Sequence, residues 1–187
     1  MFQIIHPYII IVIVFCYSTL NAATYDMDLL NTYSKLTPRF ILMSTQKNKI
    51  DQDINICLSF DEEDERVADE FINYTALNYP DGIKNYKIKF SKIKYKNISL
   101  CSDTQLIFLF RTNSKALKKA ISFSQDKKIM TIAYDNQLLV EGVDISLFLG
   151  RDTKPYINLK SVLDKGIRLD NLLLRISKIY NNKEGSR

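Results

Sequence analysis

The stretch Cys101-Ser-Asp-Thr-Gln-Leu-Ile-Phe-Leu-Phe-Arg111 decides how this chain is read. Leu106 to Phe110 is an unbroken run of five large apolar residues between polar flanks. A half-exposed strand alternates polar and apolar side chains, whereas a short continuous run marks a strand covered on both faces. The stretch therefore predicts a central sheet strand with Cys101 at its head as a structural staple.

Outward from that strand, Ile54-Asn-Ile-Cys-Leu-Ser-Phe60 alternates with period two. Ile54, Ile56, Leu58 and Phe60 then share one face, and Cys57 lies on the other. Ile129 to Ala133 predicts a second short buried strand. Val143 to Leu149 and Lys154 to Asn158 flank the turn Gly150-Arg-Asp152 and predict a hairpin. Between Lys84 and Lys96, six lysines alternate with Ile88, Phe90, Ile93 and Tyr95. The alternation changes phase at Ser91-Lys92, which predicts a bulge or bend. Lysines on such a strand protect a sheet edge from pairing; the competing use is a strip facing a partner or a membrane.

Helical spacing supplies the other layers. Asp26 caps a helix with Leu29, Leu30, Tyr33 and Leu36 on one face. Pro38 is expected to end or kink it, leaving Phe40 to Met43 as a separate apolar run. The five acids Asp61 to Glu65 read as a helix start, with one carboxylate as cap, rather than as a cation site. Val67, Ala68, Phe71, Ile72 and Ala76 follow at helical spacing, and Pro80-Asp-Gly82 closes the unit with a turn. Asn113 or Ser114 caps a helix with Leu117, Ala120 and Ile121 inward. A short face of Leu159, Val162 and Leu163 is stopped by Gly166. Asp170 is expected to cap a last helix with Leu169, Leu172, Leu173, Ile176, Ile179 and Tyr180 in one stripe, with Leu169 and Leu174 placed for a hydrophobic staple. Strands alternating with helices give an α/β fold: a single-domain sandwich with a mixed central β-sheet flanked by helices.

Residues 1–22 contain no Lys, Arg, Asp or Glu, and Ile4 to Tyr17 is almost wholly apolar. That run is short for a bilayer span and is followed by small residues, so 1–22 reads as a signal peptide; an uncleaved anchor is the alternative. Residues 23–180 form the predicted domain and 181–187 a polar tail. Cleavage removes Cys16 and His6, leaving Cys57, Cys101 and no histidine. An even cysteine count in an exported chain suggests a Cys57–Cys101 disulfide, against two buried free thiols. The net charge of +5 is a mild excess that suits an anionic surface or an acidic partner and does not by itself call for nucleic acid.

The same inventory excludes most catalytic chemistry. Without His6 there is no Ser-His-Asp or Cys-His arrangement and no histidine zinc site. The five glycines form no dinucleotide or phosphate loop, and no C-x-x-C pair exists, so no cofactor is expected. Binding or regulation is therefore expected over catalysis, and Phe40 to Met43 together with the last helix are candidates for a homodimer face.

Several segments, in order and spacing, resemble the YfiR family of bacterial periplasmic proteins. The Cys57 strand and Cys101-Ser-Asp-Thr-Gln-Leu-Ile-Phe-Leu-Phe110 resemble the two cysteine-bearing strands of that family. Ile129-Met-Thr-Ile-Ala133, then Asp135 and Glu141-Gly142, is similar to its strand, acidic turn and glycine pair. Tyr156-Ile-Asn-Leu159, Gly166-Ile-Arg-Leu169 and Leu172-Leu-Leu-Arg-Ile-Ser-Lys-Ile179 resemble its ending, and Tyr33 to Phe40 its opening helix and proline. The positions that carry the resemblance are Pro38, Gly142, Asn158, Gly166, Leu172 and Leu173. It implies a periplasmic, non-enzymatic regulator that binds and represses the sensor part of an inner-membrane diguanylate cyclase, controlling cyclic di-GMP output, biofilm formation and motility. No stable membrane insertion is then expected after signal cleavage. The alternative is a periplasmic small-molecule binding or transport-accessory domain, with its pocket at the carboxyl ends of the strands.

Overall fold

In a computed structural model of the protein, residues 25–181 are described. The expected signal peptide at 1–22 and all of the expected tail beyond Asn181 lie outside them. Seven strands form one mixed sheet in the order β2-β1-β3-β4-β5-β6-β7. They are β1 (Asp53–Phe60), β2 (Lys87–Lys94), β3 (Leu106–Leu109), β4 (Met130–Ala133), β5 (Ile145–Leu149), β6 (Thr153–Ile157) and β7 (Lys178–Ile179). The first five run parallel; β5 and β6 form the antiparallel hairpin, and β7 lies parallel to β6. The sheet grows in both directions from β1. With right-handed crossovers the rule, such growth puts successive helices on opposite faces.

Two cores record that arrangement. On the first face, α1 (Met27–Leu42) and α2 (Glu65–Asn78) cover Ile54, Ile56, Leu58, Phe60, Leu106, Phe108, Met130 and Ile132. On the second, a 3-10 segment (Tyr95–Cys101) and α3 (Ser114–Asp126) cover Cys57, Ile107, Leu109 and Ala133. Leu106 to Phe110 are all inaccessible, as an apolar run covered on both faces requires. Cys57 and Cys101 form a disulfide with Cα atoms 5.7 Å apart, tying β1 to the end of the 3-10 segment.

The helices agree with their caps where the capping atom is local. Asp26 accepts from the amides of Asp28 and Leu29, and Asn113 from that of Ala116. Two short helices complete the fold, α4 (Leu159–Asp164) and α5 (Asn171–Ile176). Gly166, at φ +69°, closes α4 with Ile167 N–H on the Val162 carbonyl and Gly166 N–H on that of Leu163, the paired bonds of a Schellman end.

Four expectations are corrected. Pro38 does not end the helix: α1 continues to Leu42, and Pro38 is buried in it. The last turn is held by burial of Phe40, Ile41 and Leu42 in the first core, which offsets one missing backbone bond and removes these residues from any dimer face. No bulge interrupts β2, whose register with β1 is continuous from Asp53↔Lys87 to Phe60↔Lys94. The phase changes because the first face changes cover. Ile88 and Phe90 meet the apolar core, whereas Lys92 reaches Asp69 (2.7 Å) and Lys94 reaches Glu62 (2.5 Å) at the acidic start of α2.

No carboxylate among Asp61 to Glu65 caps α2. Asp61 accepts from the Thr112 hydroxyl (2.6 Å), and Asp64 accepts from the Tyr25 hydroxyl. The last helix stops at Ile176 instead of running on through Tyr180, and the Asp170 side chain does not cap it. Lys178 and Ile179 pair with β6, and Tyr180 N–H donates to the Ile157 carbonyl (2.8 Å), because an open strand edge satisfies these backbone groups. Leu173 packs into the first core while Leu172 is left exposed.

Candidate functional site

The seam between β4 and β5 organises the site. These strands share a single residue pair, Ile132↔Ile145, so side chains complete the joint on either side of it. Towards the carboxyl ends, the buried Tyr33 hydroxyl donates to the Tyr134 carbonyl (2.8 Å) and accepts from Leu147 N–H (3.0 Å). Burial raises the pKa of that hydroxyl far above its ordinary value, keeping it protonated. Towards the amino ends, Asp144 Oδ2 accepts from Thr131 N–H (2.7 Å) and from Lys165 Nζ (2.6 Å). Asp144 Oδ1 accepts from the Ser161 hydroxyl (2.6 Å).

Asp144 and Lys165 have no accessible side-chain surface, so this is a wholly buried ion pair. Lys165 is further held by the Ile129 carbonyl (3.1 Å). Burial pushes its ammonium below the ordinary lysine value, against the opposing pull of Asp144. Each member of the pair has further hydrogen-bond partners, as a buried ion pair requires.

Above this pair a groove of about 1250 Å³ opens at the surface. Gly142, Asn158, Ser161, Val140, Leu163 and Tyr180 line it, together with the acidic Glu141 and Asp164. Val140 and Leu163 are exposed by 62% and 55%, so the groove carries apolar side chains left in water. Asn158 anchors its floor: Oδ1 accepts from Ser161 N–H (3.1 Å) and Nδ2 donates to the Leu139 carbonyl (2.8 Å). The Ser161 hydroxyl lies within 2.7 Å of the Gly142 carbonyl.

Of the positions that carried the resemblance, the fold therefore brings Gly142 and Asn158 into one hydrogen-bonded knot, and Gly166 ends the helix that closes it. Pro38 is buried within α1, Leu173 is buried in the first core, and Leu172 lies exposed on α5. The sequence reading missed Asp144, Lys165 and Ser161. Their sole local signal is a charged residue next to an apolar run.

The opposite end of the sheet, where a small-molecule pocket was expected, is filled. At the point where strand order reverses, beside the carboxyl ends of β1, β3 and β4, Tyr25 is only 5% exposed. Its hydroxyl donates to Asp64 and accepts from Arg111 N–H (2.9 Å). The Arg111 guanidinium pairs with Asp135 through Nε (3.0 Å) and Nη2 (3.2 Å) and lies 5.1 Å from the Tyr25 ring centre. Asp26 N–H donates to the Tyr134 hydroxyl (2.7 Å). Burial raises the Asp64 carboxyl above its ordinary value, and the bond to Asp135 raises Arg111. Among the described residues no group of His, Cys, Asp and Glu could hold a metal ion.

The fold is a doubly wound α/β domain, and known structures share that fold. A conserved domain protein from Vibrio cholerae superposes with TM-score 0.59 at 10% identity, over 81% of this chain and 60% of that one. The ABC domain in complex with L-Trp from Streptococcus pneumonia gives 0.57 at 11%, over 81% and 60%. CD0873 from Clostridium difficile, a substrate binding protein with adhesive properties, gives 0.55 at 11%, over 79% and 58%. This chain thus spans about 60% of the length of those structures, and the likeness is one of fold.

No curated protein matches the sequence. Residues 37–178 match the YfiR/HmsC-like family, and the chain belongs to it. That membership places it in a periplasmic family of regulators of cyclic di-GMP signalling. No helix among the described residues is long and apolar enough to cross a membrane.

Proposed function

We propose that this protein binds the periplasmic sensor part of an inner-membrane diguanylate cyclase and represses it, and that the groove above Asp144–Lys165 is the contact surface. One observation carries the choice of surface: Gly142 and Asn158, two positions of the family resemblance, converge on a groove that leaves Val140 and Leu163 in water. Repression is then a population shift. The regulator must hold the inactive cyclase more tightly than the active one, since equal affinity for both would change nothing.

Residues 1–22 act in this reading as a cleaved signal, so that the domain from 23 onward works in the periplasm without membrane insertion. A homodimer, if formed, uses Leu172 and Ile176 on α5, exposed by 61% and 49%. The small-molecule alternative loses its expected place, because the buried Tyr25 occupies the crevice at the carboxyl ends.

The test is capture of the cyclase from solubilised inner membranes with the exported protein, compared with Leu163→Glu and Val140→Glu variants. The expected result is capture by the wild type and at least about tenfold weaker capture by either variant, the cost of burying an unpaired charge in an apolar contact. Failure to recover any cyclase would remove the proposal; capture unaffected by both variants would move the contact elsewhere.

A further inference from the structure

The two helical layers carry opposite charge. Residues 61–78, on the first face, hold seven carboxylates and one arginine; residues 114–128, on the second, hold five lysines and one aspartate. In α3 the inward positions are Leu117, Ala120, Ile121 and Ser124. Lys115, Lys118 and Lys119 occupy the outer face at i, i+3 and i+4, all exposed. Lys96 of the adjoining 3-10 segment joins them, its carbonyl accepting from Lys119 Nζ (3.1 Å).

None of these four lysines takes part in an ion pair among the described residues, unlike Lys92 and Lys94, which are engaged by the acids of α2. In the same segment as Lys96, Leu100 is 66% exposed, a large aliphatic side chain held in water beside the basic patch.

We infer that this second face docks on an anionic lipid bilayer. Charge complementarity selects an anionic partner, and the chemistry of the patch selects lipid among them. The four cations are lysines, flexible point charges that suit a diffuse field of headgroups. A protein interface is enriched in Arg, Tyr and Trp and depleted in Lys, and a nucleic-acid surface uses aromatics on which bases stack. Of the two aromatics in this layer, Tyr95 is buried with its hydroxyl on the Phe110 carbonyl, and Phe123 is partly buried against the second core. Leu100 supplies an apolar side chain that can enter the headgroup region, the second signal that surface attachment needs.

The acidic layer across the sheet is repelled by the same surface. The molecule would therefore lie with α3 towards the bilayer and α2 away from it. This orientation needs no cyclase. It would, however, bring a soluble regulator to the surface in which such a partner sits.

The test is co-sedimentation of the exported protein with phosphatidylcholine vesicles containing or lacking phosphatidylglycerol. Any contribution of residues 1–22 is common to wild type and variants, so their ratio isolates the patch. Binding is expected only with phosphatidylglycerol in about 0.05 M salt, and lost in about 0.5 M, where the field is screened within a few ångströms. The triple variant Lys115→Glu/Lys118→Glu/Lys119→Glu should bind at least about 100-fold more weakly, at roughly fivefold per lysine lost. Leu100→Ser should weaken binding about threefold.

Because these side chains are exposed, thermal midpoints should match the wild type. If the triple variant unfolds, Lys115→Gln/Lys118→Gln/Lys119→Gln removes the charge without reversing it. Equal binding to vesicles with and without phosphatidylglycerol, or no loss in the charge variants, overturns the inference. So does failure to bind vesicles by a protein whose patch is instead required to capture an acidic protein.

Discussion

The two ends of the sheet meet the same problem with opposite results. At the carboxyl ends of β1, β3 and β4 the fold creates a crevice, and the chain fills it with Tyr25 and the Arg111–Asp135 pair. At the amino ends of β4 and β5 the chain buries an ion pair beneath the surface and leaves a groove open above it. A doubly wound sheet offers a ligand crevice at its switch point. Here that position is closed by the chain's own side chains, and open surface is found where parallel-sheet folds usually have none of functional use. Fold kinship alone points to the closed end, whereas the groove proposed as the contact surface lies at the other.

Breaking the open end should cost most. Lys165→Met leaves Asp144 buried without its cation, and should lower stability by about 3–5 kcal/mol in urea unfolding. The double replacement Lys165→Met/Asp144→Leu should recover much of that loss, as the apolar pair leaves no uncompensated charge. Failure of the recovery would mean that Asp144 is needed for its bonds to Thr131 and Ser161 rather than as a counter-ion.

Removing the disulfide with Cys57→Ser/Cys101→Ser should cost about 4 kcal/mol on the loop-entropy account for its separation of 44 residues. If loss of the staple loosens the sheet, repression of the cyclase should weaken with it. Wild-type stability and repression in that variant would exclude a redox role.

Smaller effects belong to the closed end. Tyr25→Phe deletes the hydroxyl that serves both Asp64 and Arg111 N–H, and should cost about 1–3 kcal/mol by the same unfolding measurement. Asp64 supplies a pH test. Burial raises its carboxyl above 3.8, so the folded chain holds that proton more tightly than the unfolded chain does. The stability contributed by protonation is present below the unfolded value and is lost as pH rises through the folded one. Asp64→Asn should flatten that part of the stability–pH curve; an unchanged curve would show that another group titrates there.

Much of this architecture was legible in the sequence, for reasons that are local. Leu106 to Phe110 needed two covered faces, and the alternation through Ile54 to Phe60 put Cys57 towards Cys101. Caps at Asp26 and Asn113 and the left-handed end at Gly166 depend on residues within a few positions of themselves.

What misled the reading was pattern whose meaning depended on a neighbour. The lysine strand changed phase because α2 presents acids to Lys92 and Lys94, not because its backbone bulges. Helical spacing from Leu169 to Tyr180 gave way at Ile176 because β6 offered a free edge. The acids at 61–65 started a helix as expected, yet Asp61 and Asp64 were taken up by Thr112 and Tyr25.

The sequence by itself determined the α/β layering, because periodicity and capping act over a few residues, while the order of its motifs carried the family resemblance and the cysteine count the disulfide. Tertiary structure alone decided which end of the sheet is open. Asp144 meets Lys165 across 21 positions, and Arg111 meets Tyr25 across 86. No local pattern encodes encounters at such separations. They arise when the sheet closes and each buried polar group must find a partner.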